Sequence, residues 1–297
     1  MLGQRTLKNV IRATGTGLHT GEQVFLTLRP APVDTGIVFT RTDLDPPREF
    51  PARTAQVGAT EPATTLVQGD ARVLGVEHLL AAFAGLGVDN AFVDLTAEEV
   101  PIMDGSAAPF VFLIQSAGLE TQAAPKRFLR ILRPIEVLEG GARARLDPHP
   151  GFSVAVELAP RAGVPARHAG TASLDFARTS FVKEVARART FGFLAEPGAL
   201  PGLRTAGGAV EAGAREPDAD LRQRDELVKH AVLEAVGVLY LLGAPLAGAF
   251  SARNADAGLV LWLLRALEAT PDAWEWAVFE DPDRAPVSWS ARPAVPA

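Results

Sequence analysis

The stretch DELVKHAVLEAVGVLYLLG (Asp225 to Gly243) constrains the fold more than any other part of the chain. Its pattern predicts a long helix, and apolar residues lie on nearly every side, so the helix must be buried. Two of its ionisable residues bear on function. His230 and Glu234 are four positions apart and share one face, with Cβ atoms ~5–6 Å apart. A carboxylate inside such a helix is costly without a partner. A metal ion held by both side chains would be one. The structural alternative is an arginine from another strand facing Glu234, with His230 bonded to a carbonyl. The spacing alone does not decide between them.

The elements around this helix read as a mixture. VFLTLRP (Val24 to Pro30) alternates apolar and polar residues as a half-buried strand should, and GIVFTRTD (Gly36 to Asp43) does so more loosely. A Gly/Pro-punctuated loop then runs through Pro51. VEHLLAAFAGLG (Val76 to Gly87) predicts a helix with Gly85 and Gly87 as its stop, NAFVDLTA a strand, and PFVFLIQSAG a helix with Pro109 in its first turn. The polar stretch Thr121 to Arg127 reads as a linker. Beyond it come strands in FLRILRPIEVLE and FSVAVELAP, the buried helix, and a last helix from about Gly258 to Ala269. The region from Glu196 to Arg224 reads as a long loop or lid with a short helix. The expectation is an α+β chain of two domains of related design, 1–122 and 128–297, with no internal repeat visible in sequence.

With 297 residues, 47% hydrophobic and 22% charged, the chain can build a substantial core. A net charge of -6 without a Lys/Arg run argues against nucleic acid as a partner. The absence of cysteine excludes disulfides, iron–sulfur clusters, Cys-zinc sites and thiol nucleophiles. A metal site must therefore use Asp, Glu or the five histidines: His19, His78, His149, His168 and His230. The N-terminus lacks the apolar core of a signal peptide. The most apolar stretch, Val238 to Phe250, is broken by Gly243, Pro245 and Gly248 and is shorter than the ~20 residues a membrane span needs. A soluble, cytoplasmic monomer is expected.

The predicted helix at Val76 carries Glu77 beside His78. Neighbours on a helix point in different directions, so one can ligate a metal while the other faces a substrate. A core histidine next to a surface glutamate is the plainer reading of this pair alone. Taken together, His78, His230 and Glu234 make two imidazoles and a carboxylate, a set that leaves a coordination position open for water, as catalytic zinc requires. Glu77 can then act as general base.

GTGLHTG (Gly15 to Gly21), LTLRPAP (Leu26 to Pro32), RTDLDPP (Arg41 to Pro47), VEHLLAAFAGLGVDN (Val76 to Asn90), PIMDGSAAPFV (Pro101 to Val111), RTFGF (Arg189 to Phe193) and DELVKHAVLEAVG (Asp225 to Gly237) occur in one order. From about Arg5 to Leu267 the chain resembles the zinc-dependent UDP-3-O-acyl-N-acetylglucosamine deacetylase family of lipid A synthesis. The resemblance implies two related two-layer α/β domains packed helix layer to helix layer, with the metal at their junction. It implies Glu77 as general base in a metal-assisted hydrolysis of an N-acetyl amide, His78 and His230 as ligands of Zn²⁺ or Fe²⁺, and Glu234 as third ligand where the family has aspartate. It places Thr190 where a threonine polarises the substrate carbonyl, and Phe191 where an aromatic ring packs on an acylated sugar substrate. Leu200, Leu203 and Gly208 fall near an acyl-chain passage in an insert around 196–210. His19 reads as a structural histidine and Asp104 as a turn residue.

Several positions depart from that pattern. A family histidine that serves as acid or oxyanion stabiliser falls on Ala257. Lysines fall on Ala231, Asn254 and Asp147, and an aspartate on Val238. A diphosphate needs cationic partners, and an aspartate repels it. Arg253, Arg145 and His149 are neighbouring candidates to compensate. Three readings stand: a zinc amidohydrolase still acting on the acylated nucleotide sugar, a hydrolase of the same fold with a less anionic substrate, and a non-catalytic binding or regulatory relative.

Overall fold

The computed structural model describes residues 1–160, 169–189, 221–281 and 285–287, together with the backbone of 191–192 and 210–211. Among them, strands from the first part of the chain form a mixed five-stranded sheet in the order β2-β3-β9-β4-β5. These are β2 (Ile11–Thr16), β3 (Gln23–Pro30), β4 (Ile37–Arg41), β5 (Arg48–Pro51) and β9 (Ala91–Leu95). Alternation decides which face of β3 is inside: Val24, Leu26 and Leu28 are buried while Gln23 and Phe25 face out. A three-stranded sheet, β6 (Val57–Ala59), β7 (Thr65–Gln68) and β8 (Ala71–Val73), precedes the first helix. The Arg48–Pro51 strand lies in the stretch expected to be loop. It pairs residue for residue with β4, which an expectation built on Gly and Pro alone does not register.

The second sheet has seven strands. Its main order is β12 (Ile135–Glu139), β13 (Ala142–Asp147), β18 (Leu246–Arg253), β11 (Arg127–Ile131) and β19 (Trp274–Val278). β14 (Phe152–Leu158) joins β18 in parallel and carries β15 (Gly170–Asp175). The stretch expected to be a polar linker is strand as well. β10 (Leu119–Pro125) pairs antiparallel with β1 (Gly3–Leu7), and β11 starts two residues later. Its polarity reflects an edge location, where Gln122 bonds Asn90 and the Ala31 carbonyl.

Two buried helices pack along each other: Glu77–Leu86, the His78 helix, and Glu226–Leu239, the His230 helix. Gly237 makes the approach close. A Cβ built there would lie 2.1 Å from the Glu77 carbonyl oxygen, so no larger residue fits without moving a helix. The His78 helix ends at Gly87 in the left-handed region (φ 67°), and the Gly87 N–H returns to the Ala84 and Phe83 carbonyls. No helix among the described residues is long and apolar enough to cross a membrane.

Cations hold the far ends of both helices. Lys126, fully buried, bonds the Gly87 carbonyl at 2.9 Å and pairs with Asp89, while Arg53 reaches the Leu242 carbonyl at 3.2 Å just past the His230 helix. Burial pushes the Lys126 ammonium down to about 8, with Asp89 opposing the shift. Removing one partner of a buried pair leaves the other desolvated, at a cost of ~3–5 kcal/mol. Lys126→Met is expected to destabilise the protein by about that amount in chemical denaturation. A loss below ~1 kcal/mol would show that Arg5, whose main-chain N–H also bonds Asp89 at 2.6 Å, suffices alone.

Candidate metal centre

The close helix crossing brings the first turn of one helix to the middle of the other. His78 and His230 meet edge to face, with ring centroids 5.0 Å apart and an interplanar angle of 84°. Glu234 Oε1 lies 3.3 Å from His230 Nε2. One ligand atom from each of His78, His230 and Glu234 falls within 4.8 Å of the others. Both rings are buried, and the Glu234 side chain is 46% exposed. Among the described residues Glu234 thus meets His230, not an arginine. His230 does bond a carbonyl, as the structural alternative anticipated, but through Nδ1, which leaves Nε2 directed at the cluster.

The electrostatics fit a cation. Burial first, and His230 second, push His78 down to about 3, so its ring is neutral with a lone pair to give. Burial and the nearby Glu234 push the Glu77 carboxyl up to about 7. Glu77 Oε2 is buried and finds no hydrogen-bond partner among the described residues. Burial opposes charge on both His230 and Glu234, yet each holds the other ionised: His230 lies above its ordinary value and Glu234 below. A divalent ion would replace the proton between them. His230 Nδ1 lies 3.1 Å from the Ala188 carbonyl and donates to it when Nε2 is the ligating nitrogen, an arrangement usual for metal-bound histidine. Two imidazoles, one carboxylate and a buried, unsatisfied carboxylate oxygen beside them are a donor set that fits a divalent metal.

Sequence reasoning missed the residues that brace this cluster. Glu226 accepts from Arg189 and Arg222, and Arg222 Nη2 reaches Asp104 Oδ2 at 2.9 Å. Asp104 also makes the expected turn, accepting from the Ser106 N–H and hydroxyl, and its charge is felt at His78. Only the DE pair at the start of the helix hinted at Glu226, and acids are routine at helix starts. His19 lies in a turn whose main-chain N–H groups bind the buried Glu99 carboxylate, a structural setting as expected.

Of the remaining candidates, Thr190, Leu200, Leu203 and Gly208 lie outside the described residues. Phe191 is described in its backbone alone, which pairs in parallel with Val210. Each departure from the family pattern has a local structural setting. Asn254 adopts a left-handed conformation (φ 49°), and its Oδ1 accepts from the Ala159 N–H at 2.8 Å. Asp256 caps the Ala257–Glu268 helix by accepting from the Leu259 N–H at 2.8 Å. Val238 is core, while Ala231 and Ala257 pack at the core's margin. Arg145 grips Asp147 with two bonds of 2.7 and 2.6 Å, and Arg253 lies 3.3 Å from Glu157, so both arginines are already engaged. His149 Nδ1 accepts from the Gly151 N–H.

The sequence profile of the UDP-3-O-acyl N-acetylglycosamine deacetylase family matches residues 4–269. A relative from Pseudomonas entomophila (strain L48), a UDP-3-O-acyl-N-acetylglucosamine deacetylase, is 56% identical over 297 residues, covering 97% of this chain and 98% of its own length. On both grounds the chain, with its His78–His230–Glu234 cluster between two packed helices, belongs to the UDP-3-O-acyl N-acetylglycosamine deacetylase family.

Proposed function

We propose that the chain is a zinc-dependent deacetylase of lipid A biosynthesis that hydrolyses the N-acetyl amide of a UDP-3-O-acylated N-acetylglucosamine. The convergence of His78, His230 and Glu234 within 4.8 Å, beside the unsatisfied Glu77 carboxylate oxygen, carries this reading. Zinc suits two imidazoles and a carboxylate, and iron(II) takes the same set. His78, His230 and Glu234 would hold the ion, which would supply Lewis acidity to the amide carbonyl and to the attacking water. Glu77 accepts the proton of the attacking water at Oε2 and returns it to the amide nitrogen as the C–N bond breaks. With alanine at 257, this single carboxyl carries the proton in both directions. Thr190 assists the carbonyl, Phe191 packs on the sugar, and Leu200, Leu203 and Gly208 line the acyl passage. We read the chain as two domains, 1–122 and 128–297, meeting at the metal, in a cytoplasmic monomer.

Acetate release from the acylated nucleotide sugar by protein carrying a full complement of zinc is the direct test. Zinc-loaded protein that releases none would overturn the proposal. The engaged state of Arg145 and Arg253 favours a second reading, in which the substrate bears less negative charge. Faster turnover of an acylated amino sugar lacking the diphosphate would select it.

A pH profile follows from Glu77. The base acts when unprotonated, and its carboxyl lies at about 7 without a metal. A dication nearby favours the carboxylate and lowers that value. The rate is therefore expected to rise with pH through a midpoint at or below about 7, with Glu77→Gln removing the limb along with the activity. A midpoint well above about 7 would assign the titration to another group.

A further inference from the structure

Glu226, the first residue of the His230 helix, is fully buried. Its Oε1 accepts from the Arg189 main-chain N–H at 3.0 Å and from Arg189 Nε at 2.8 Å. Its Oε2 accepts from the Arg222 main-chain N–H at 2.6 Å and from Arg189 Nη2 at 3.3 Å. An acid at a helix start ordinarily serves the N–H groups of its own first turn. These four donors instead come from residues 189 and 222.

The Arg189 N–H and the Ala188 carbonyl belong to the same peptide unit, which is planar and rigid. The oxygen of that plane lies 3.1 Å from His230 Nδ1, and its N–H donates to Glu226. Glu226 and His230 are four apart on one helix face. Two side chains from successive turns therefore grip opposite edges of a single peptide plane. If the plane turned over, the carbonyl would leave Nδ1. The imidazole would then be free to carry its proton on Nε2, the nitrogen directed at Glu234 and His78.

We propose that Glu226 is a positioning residue for the metal centre: it locks the Ala188–Arg189 peptide so that His230 presents a proton-free Nε2 to the ion. The inference rests on the metal-site reading and adds a residue that touches neither the ion nor the substrate. Glu226→Gln replaces one of the two acceptor oxygens with a donor, which opposes an incoming N–H. Glu226→Asp keeps the charge but withdraws it by one methylene. Asp225→Asn removes the neighbouring negative charge at the helix start, which pairs with Lys229, and leaves the Ala188–Arg189 peptide locked.

Zinc dissociation constants measured on the full chain by competition with a chromophoric chelator separate these cases. Glu226→Gln is expected to weaken zinc binding by ~10–100-fold, the range for residues that orient a metal ligand, with Asp225→Asn nearly unchanged. Glu226→Asp should follow Glu226→Gln, and it is the variant to measure if Glu226→Gln does not fold. In the zinc-free folded protein above the His230 titration, ¹⁵N shifts should place the proton on Nδ1 in the parent and on a mixture of the two nitrogens in the variants. A dissociation constant within a factor of about two of the parent's in either folded Glu226 variant would overturn the proposal, and so would an equal loss in Asp225→Asn. A parent chain that binds no zinc would overturn the metal reading itself, an outcome distinct from both.

Discussion

His230→Ala is expected to yield a folded protein purified without metal, where the parent carries one ion per chain, and to abolish deacetylation. Three protein ligands are the minimum that a catalytic zinc site uses. Removing the buried imidazole also leaves Glu234 without the group that holds its charge. Glu77→Gln separates binding from chemistry. It keeps the ligand cluster and deletes the proton acceptor, so metal content should persist while turnover falls by ~10²–10⁴. The pair is read by metal analysis of the purified proteins and by acetate release. Metal retained in His230→Ala would place the ion elsewhere. Full activity in Glu77→Gln would remove the base from the proposed chemistry.

The parts of this site visible in sequence were those governed by short-range geometry. The i, i+4 relation of His230 and Glu234 and the adjacency of Glu77 and His78 are fixed once the two helices form, and both helices were legible from their apolar character. Which helix faces which was not legible from periodicity. It depends on Gly237, where the absent Cβ lets the Glu77 carbonyl approach, and nothing in the local pattern distinguishes that glycine from a helix-weakening one. Glu226 was invisible for a related reason, since Arg189, the partner that ties it to the metal cluster, lies 37 residues upstream. The edge strands Arg48–Pro51 and Leu119–Pro125 carry polar or proline-bearing sequences that read as loop because one side of each meets solvent. Arg145 illustrates the converse. As a cation beside Asp147 it looked available to an anionic substrate, and the structure commits it to Asp147 itself.

Ala257→His is expected to raise the turnover number, by ~10²-fold or more if the imidazole supplies proton donation or charge stabilisation at the reacting carbonyl. Ala257 opens the helix that Asp256 caps, and it packs only at the margin of the core, so a larger side chain has room to turn outward. A Cβ on the next residue, Gly258, would lie 3.1 Å from Thr60 Oγ1. The helix start therefore rests against Thr60, four residues before Thr64, whose backbone favours the charged form of the Glu77 carboxyl. A histidine restored at 257 tests whether this helix start faces the reacting amide. The partial positive charge of the helix start favours its neutral ring, while Asp256 opposes that effect. The gain should appear in kcat with KM little altered, because the added interaction strengthens as the transition state forms. Ala257→Phe, similar in bulk and unable to give a proton, should show no gain. Asn254→Lys is the poorer repair: it forces lysine into a left-handed turn and gives up the bond to the Ala159 N–H, so it costs stability before any substrate binds. An unchanged kcat in folded, metal-loaded Ala257→His would mean that position 257 does not face the scissile amide in this chain, and Glu77 alone would then account for every proton moved.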